Sequence, residues 1–267
     1  MKQLIAAIAM TTVAFTAAAH STQASDTIAI AHVCDPQIGF GPDGLEADLK
    51  AFELEIEHIN AAGVDAVAIA GDMVNRMDSA STALFLEAMR KIDAPVILTP
   101  GNHDIAEPVT TEGLALYRSV FGPDRSTLDV NKLRIIAYNS QLMRQGPVDE
   151  MQAQEKWLDE ELARAAADGL QPVIMCHVPP FVASVDEDDA YFNMPLEMRA
   201  TLLKRFADAG VRLWLCGHTH KTHRNDANGI SILNGENTSC NFDKRPKGFR
   251  LLRIAPDGSF TWDFVAN

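Results

Sequence analysis

Positive charge is scarce in this sequence: 23 lysines and arginines stand against 36 aspartates and glutamates over 267 residues, a formal net charge of −13. The deficit argues against a general binder of nucleic-acid polymers, which needs a basic stripe for its phosphate contacts. Beyond the N-terminus, no segment reaches the ~20 apolar residues that cross a bilayer. Collagen-like periods, solvated repeats and long proline or serine tracts are missing as well, which excludes fibrous and low-complexity classes. What is present is a 47% apolar chain whose strand-like runs alternate with helical ones, the pattern of a single α/β domain over residues 25–267.

Residues 1–24 differ from the rest. Lys2 gives a basic start, Leu4 to Phe15 an apolar run, and small residues offer cleavage after Ala19 or Ala24. This reads as a secretory signal peptide, and with it the expectation is a periplasmic or secreted protein. No arginine pair precedes the run and no cysteine adjoins the cleavage site, so neither twin-arginine export nor a stable membrane anchor is expected. Cysteine is sparse too. Cys34, Cys176, Cys216 and Cys240 allow three full pairings, between which the sequence does not choose, and packing as small buried residues is the plainer reading.

The apolar runs TIAIAHVC, VDAVAIA, APVILTP, QPVIMC and VRLWLC read as β-strands. Between them, Leu45, Leu49, Phe52, Ile56 and Ile59 recur at steps of three and four, one apolar face of a helix from Leu45 to Ala62 that Gly63 closes. Further helices are expected over Thr82 to Ile92, Glu112 to Phe121, Gln152 to Ala167 and Leu196 to Ala209. A strand is expected over Leu133 to Tyr138. The end of the chain, Ile230 to Leu233, Phe249 to Ile254 and Ser259 to Phe264, reads as antiparallel strands. Strands of both kinds imply two mixed sheets packed face to face with helices outside. Phe181 to Pro195 fits neither period; its four acidic residues suit a solvated loop, and its place after His177 suits the rim of a site.

At or just after the five strand ends stand Asp35, Asp72, Asn102 with His103, His177, and His218 with His220. The carboxyl ends of parallel strands gather on one edge of an α/β sheet, so these residues are expected to meet. An aspartate bridge completed by asparagine and histidine suits two divalent or mixed-valence ions of manganese, iron or zinc. Asp72, central in the order, is the natural bridge, with Asp35 and His220 on one ion and Asn102, His177 and His218 on the other. Such a pair lowers the pKa of water, and attack of a bridging hydroxide on a phosphate ester follows. His103, next to a ligand, is placed to be the general acid, and Asp104 either holds its imidazole or caps the turn. His20, His32, His58 and His223 carry no such signal.

The series GD at 71–72, GNHD from Gly101, His177 and GHTH from Gly217 resembles the calcineurin-like metallophosphoesterases. The resemblance implies a four-layer αββα sandwich, a dinuclear centre and phosphoester hydrolysis. DPQ at 35–37, YNSQ at 138–141, YFNMP from Tyr191 and KGFRLLRI from Lys247 are similar to the calcineurin-like phosphoesterase domain-containing branch, some of whose members are serine/threonine phosphatases. On that resemblance Arg76, Asn139, Tyr191 and Asn193 become candidate substrate contacts. Two positions depart from the wider pattern. The first histidine ligand is Gln37, whose amide oxygen can still ligate or leave the place to water, and GDMVNR puts Asn75 where protein phosphatases carry the aspartate that orients the catalytic histidine. The expected activity is hydrolysis of phosphate monoesters, the substrate a small phosphate ester or a phosphoprotein. The alternatives are a phosphodiesterase for cyclic or other nucleotides, and a protein that holds metal or phosphate without turnover.

Overall fold

The computed structural model describes residues 27–105 and 107–267; the signal peptide expected over 1–24 lies outside the described residues. Along the chain run β1 (Ile28–Val33), α1 (Leu45–Ala62), β2 (Ala66–Ile69), α2 (Ser79–Met89), β3 (Val96–Leu98), α3 (Thr111–Phe121), β4 (Ser126–Val130) and β5 (Leu133–Ala137). There follow α4 (Ser140–Gln145), α5 (Val148–Asp168), β6 (Gln171–Met175), α6 (Leu196–Asp208), β7 (Leu213–Cys216), β8 (His223–Ala227), β9 (Ile230–Asn234), β10 (Gly248–Ile254) and β11 (Phe260–Ala266). One sheet has the order β11-β10-β1-β2-β3 and the other β4-β5-β6-β7-β9-β8. β1, β2 and β3 are mutually parallel, as are β5, β6, β7 and β9, and β4, β8, β10 and β11 pair antiparallel.

Alternation along β2 shows how the layers form. Ala66 and Ala68 face the second sheet, in a core shared with Ile30, Ile135, Val173 and Leu213. Val67 and Ile69 face outward into a core with Phe52 and Ile56 of α1 and Phe85 of α2. On the far side, Leu158 and Leu162 of α5 and Phe206 of α6 cover Ile174 and Trp214. Three apolar cores thus separate four layers, helix, sheet, sheet, helix, and each large side chain fully buried in them contributes about 1.5–3 kcal/mol. No helix among the described residues is long and apolar enough to cross a membrane.

Helix starts follow their caps. The Asp78 carboxylate accepts from the backbone N–H groups of Ala80 and Ser81, so α2 begins earlier than its apolar pattern suggests. Pro147 precedes α5 and acidic Asp149 and Glu150 occupy its first turn, extending that helix toward its N-terminus. Gly63 closes α1 in the left-handed region at φ 62°. One expectation is overturned. β9 is not an antiparallel neighbour of the C-terminal strands; it joins the second sheet parallel to β7, with β8 as its hairpin partner. The two strands that the apolar pattern missed, β4 and β8, are sheet edges with polar, half-exposed sequences.

Candidate metal centre

Parallel pairing inside each sheet points the ends of β1, β2, β3, β6 and β7 to one edge of the sandwich. Asp72, His177 and His218 offer ligand atoms all within 4.8 Å of one another, and all three are buried. His177 Nε2 lies 3.3 Å from Asp72 Oδ2, 3.2 Å from Asn102 Oδ1 and 3.1 Å from His218 Nδ1. Alongside, His220 Nε2 is 3.5 Å from Asp35 Oδ1. The structure therefore brings Asp72, Asn102, His177 and His218 into one cluster and sets the Asp35–His220 pair apart from it.

The backbone carries strain at this point. Eight non-glycine residues among those described have positive φ, and five of them are Asp35, Gln37, Asp72, His218 and His220, at φ 38–72°. Each such conformation costs about 1–3 kcal/mol for an ordinary side chain and persists only where surroundings enforce it. Glycine makes the crowding possible. A Cβ on Gly71 would stand 2.6 Å from His177 Nδ1, and one on Gly101 would collide with the Asp72 carboxylate.

Each imidazole is turned by a bond from its outer nitrogen. His177 Nδ1 donates to the Ala70 carbonyl (2.8 Å), His220 Nδ1 to that of Cys240 (2.7 Å) and His218 Nε2 to that of Tyr191 (2.9 Å). The remaining nitrogen of each ring is left to face the centre, the arrangement that metal-ligating histidines need. Gln37 supports the same conclusion. Its side chain is 1% exposed, yet neither amide atom has a hydrogen-bond partner. Two inward-facing carboxylates, three oriented imidazoles and an unpartnered buried amide fit metal ions of the borderline class.

The same crowding shifts the charges of these groups. Burial opposes charge on Asp72, but the His177 imidazolium and the His103 N–H outweigh it and hold the carboxyl well below its usual range. Burial likewise opposes charge on His177, and Asp72 with Asp35 overcomes it, raising the imidazole to about 10. Asp35 lacks so close a partner; burial dominates and lifts its pKa. Burial, aided by the charge of His177, depresses His218 to about 3, so this ring is neutral and ready to ligate.

His103 stands beside the centre, half-buried, its backbone N–H bound to Asp72 Oδ1 at 2.9 Å. Its Nδ1 meets the backbone carbonyl of Asn75 at 3.0 Å, which leaves Nε2 directed outward. The Asn75 amide instead donates to Gly39 O (3.1 Å), so the group that orients this imidazole is main chain. Asp104 does not reach the imidazole: its oxygens accept from the N–H groups of Gly101 (2.8 Å) and Met73 (2.9 Å), tying the GNHD turn to the end of β2. Two candidate substrate contacts are withdrawn for a similar reason. Asn139 is fully buried, capping α4 at Gln141 N and bonding Asp124, and Asn193 is spent on Glu187 and the backbone of the acidic loop. Arg76 is exposed and lines a cleft of about 290 Å³ with Gly39 and Asn75.

Tyr191 stays at the rim. Its hydroxyl accepts from Asn102 Nδ2 (3.0 Å), its ring lies 4.8 Å from that of His218, and the Arg144 guanidinium sits 5.7 Å over it. On the other side of the mouth, Phe242 stacks on His220 at 4.5 Å and 13°, with Phe40 5.1 Å from the same imidazole. Neither phenylalanine was singled out by the sequence, which gives no local sign that the loop after β9 folds over a distant histidine. Cys34, Cys176 and Cys216 are buried at the strand ends, and Trp214 Nε1 donates to Cys176 Sγ at 3.1 Å.

This fold and this centre are those of a phosphoesterase. The chain belongs to the calcineurin-like phosphoesterase family, whose model matches residues 24–222, and it is accordingly a hydrolase of phosphoric esters. Among particular relatives it is 26% identical over 246 residues to the serine/threonine-protein phosphatase CPPED1 of Rattus norvegicus, covering 84% of this chain and 79% of the relative. It is 27% identical over 194 residues to the 3',5'-cyclic adenosine monophosphate phosphodiesterase CpdA of Escherichia coli K12, covering 72% of this chain and 67% of that one. Among solved structures, a dimetal phosphatase from Danio rerio superposes with a TM-score of 0.70 at 11% identity, covering 89% of this chain and 95% of that chain, a likeness of fold.

Proposed function

We propose that the protein is an exported phosphomonoesterase that works with two divalent or mixed-valence ions of manganese, iron or zinc. The observation that carries this reading is the grouping of two half-sites about Asp72, with the acid candidate His103 bonded through its backbone to the same carboxylate. Asp35, Gln37 and His220 would hold one ion, Asn102, His177 and His218 the other, and Asp72 both. When bound, such ions lower the pKa of water and polarise phosphoryl oxygens. The chain does the rest. His103, its Nδ1 fixed on the Asn75 carbonyl, presents Nε2 to give a proton to the departing oxygen. The substrate is a small phosphate ester or a phosphoprotein, a choice supported by the similarity to CPPED1. Export rests on residues 1–24. The similarity to CpdA favours a second reading, cleavage of a cyclic nucleotide.

Protein loaded with manganese, iron or zinc is expected to hydrolyse para-nitrophenyl phosphate faster than bis-para-nitrophenyl phosphate or cyclic AMP. A reversed order would replace the first reading by the second. His103→Ala should lower kcat by ~10² or more with metal content unchanged. N-terminal sequencing of the mature protein should begin at His20 or Ser25; an intact N-terminus would remove export from the proposal.

A further inference from the structure

The proton that His103 gives must land on the leaving oxygen, so whatever surrounds His103 Nε2 surrounds the leaving group. Phe40 lies 6.1 Å from the His103 ring, edge-on at 65°, and 6.3 Å from Phe242. Phe242 keeps 45% of its surface exposed although its ring is stacked on His220. Two charged neighbours of Phe242 are engaged elsewhere: Asp243 accepts from Thr222 N at 3.1 Å, and Arg245 donates to Glu236 at 2.9 Å. The opposite wall differs, since Tyr191 there carries the Arg144 cation above its ring. One side of the mouth is thus lined by two aromatic rings, and it is the side of the proton donor.

Resting on the phosphomonoesterase reading, we infer that Phe40 and Phe242 form the leaving-group niche of this enzyme and select a planar aromatic ring carried directly on the ester oxygen, an aryl phosphate. A ring on that oxygen comes within the 4.5–7 Å at which aromatic pairs attract, worth about threefold to tenfold in affinity for each pair. In the reaction a water oxygen bonds to phosphorus and the bond from phosphorus to the aryl oxygen breaks. The electron pair stays on that oxygen and a proton from His103 Nε2 joins it; the water's protons stay with the phosphate until one returns to His103, and the products are inorganic phosphate and a phenol. A phenol's pKa of about 10 is far below that of an alkyl alcohol, so an aryl ester also asks less of His103.

The test compares three phosphonates that cannot be hydrolysed, benzyl, cyclohexylmethyl and ethyl, by calorimetry on manganese-loaded protein. Benzylphosphonate is expected to bind at least about threefold more tightly than the other two. Phe242→Leu keeps an apolar cover on His220 and should erase the advantage over cyclohexylmethylphosphonate. Equal affinity for all three, or a Phe242→Leu loss shared equally among them, overturns the inference and reduces both rings to an apolar shell around His220. If benzylphosphonate is preferred but no monoester is hydrolysed, the niche stands and the catalytic reading of the site falls.

Discussion

The two halves of the centre are built differently. In the second, the ligands touch one another: His177 lies within 3.1–3.3 Å of Asp72, Asn102 and His218. Tyr191 holds two of them, Asn102 through its hydroxyl and His218 through its carbonyl. In the first half, Asp35 and His220 approach only to 3.5 Å, and neither amide atom of the Gln37 side chain has a hydrogen-bond partner. Supports also come from the loop after β9, where Cys240 O accepts from His220 Nδ1 and Ser239 Oγ donates to Asp35 O. That loop is itself tied to α1 by the bond of 2.9 Å from Thr238 to Glu55. The contrast teaches that one half is tied together by bonds between its own side chains, and the other mainly by bonds to the surrounding loop. The second half should therefore be the tighter binder.

The strongest challenge to this division is Asp72→Asn. If Asp72 serves both halves, both ions are lost together in metal analysis and activity falls by about 10³-fold or more; loss of a single ion would break the comparison. Next in size is the support of the first half. Burial raises the Glu55 pKa from 4.5 to about 7, against the opposing pull of its bonds to Thr238 and Asn267. The folded state therefore holds this proton more tightly than the unfolded chain. The stabilising contribution of this group is greatest below pH 4.5 and is lost as the pH rises through 7, a change of about 3 kcal/mol. Chemical denaturation of the wild type and Glu55→Gln across that range should show the variant without this decline.

Tyr191→Phe removes the hydroxyl from Asn102 and leaves the carbonyl on His218. Metal affinity of the second half should fall by about 10- to 100-fold, with the first half unaffected in a two-site titration. The smallest effect is expected for Gln37→Ala, a loss of under about tenfold confined to the weaker site. A larger loss there than in Tyr191→Phe would invert the order of the two halves.

The candidate ligands were readable because side-chain identity marks them: carboxylates, imidazoles and an amide at strand ends have the same donor chemistry wherever the chain takes them. The polar shell was not readable. Asp104, Asn139 and Asn193 have side chains suited to catalysis or binding, but their atoms are spent on backbone and loop bonds that only the folded chain supplies. The partners that turn the histidines are backbone carbonyls of Ala70, Cys240, Tyr191 and, for His103, Asn75. Every residue has such a carbonyl, so no sequence pattern marks these four. Sheet membership was likewise hidden for β9, because an apolar run of that length fits either neighbour and partner choice is settled by packing.

By itself, then, the sequence determined the layered αββα class and the candidate ligands that gather near Asp72, since apolar periodicity and side-chain chemistry are local properties of the chain. Tertiary structure alone decided which nitrogen of each histidine faces inward, which half of the centre is pre-closed, and that two phenylalanines stand beside His103. Those outcomes depend on where distant segments meet, Phe40 with Phe242 and His218 with Tyr191, and contact between residues far apart in the chain is a product of packing.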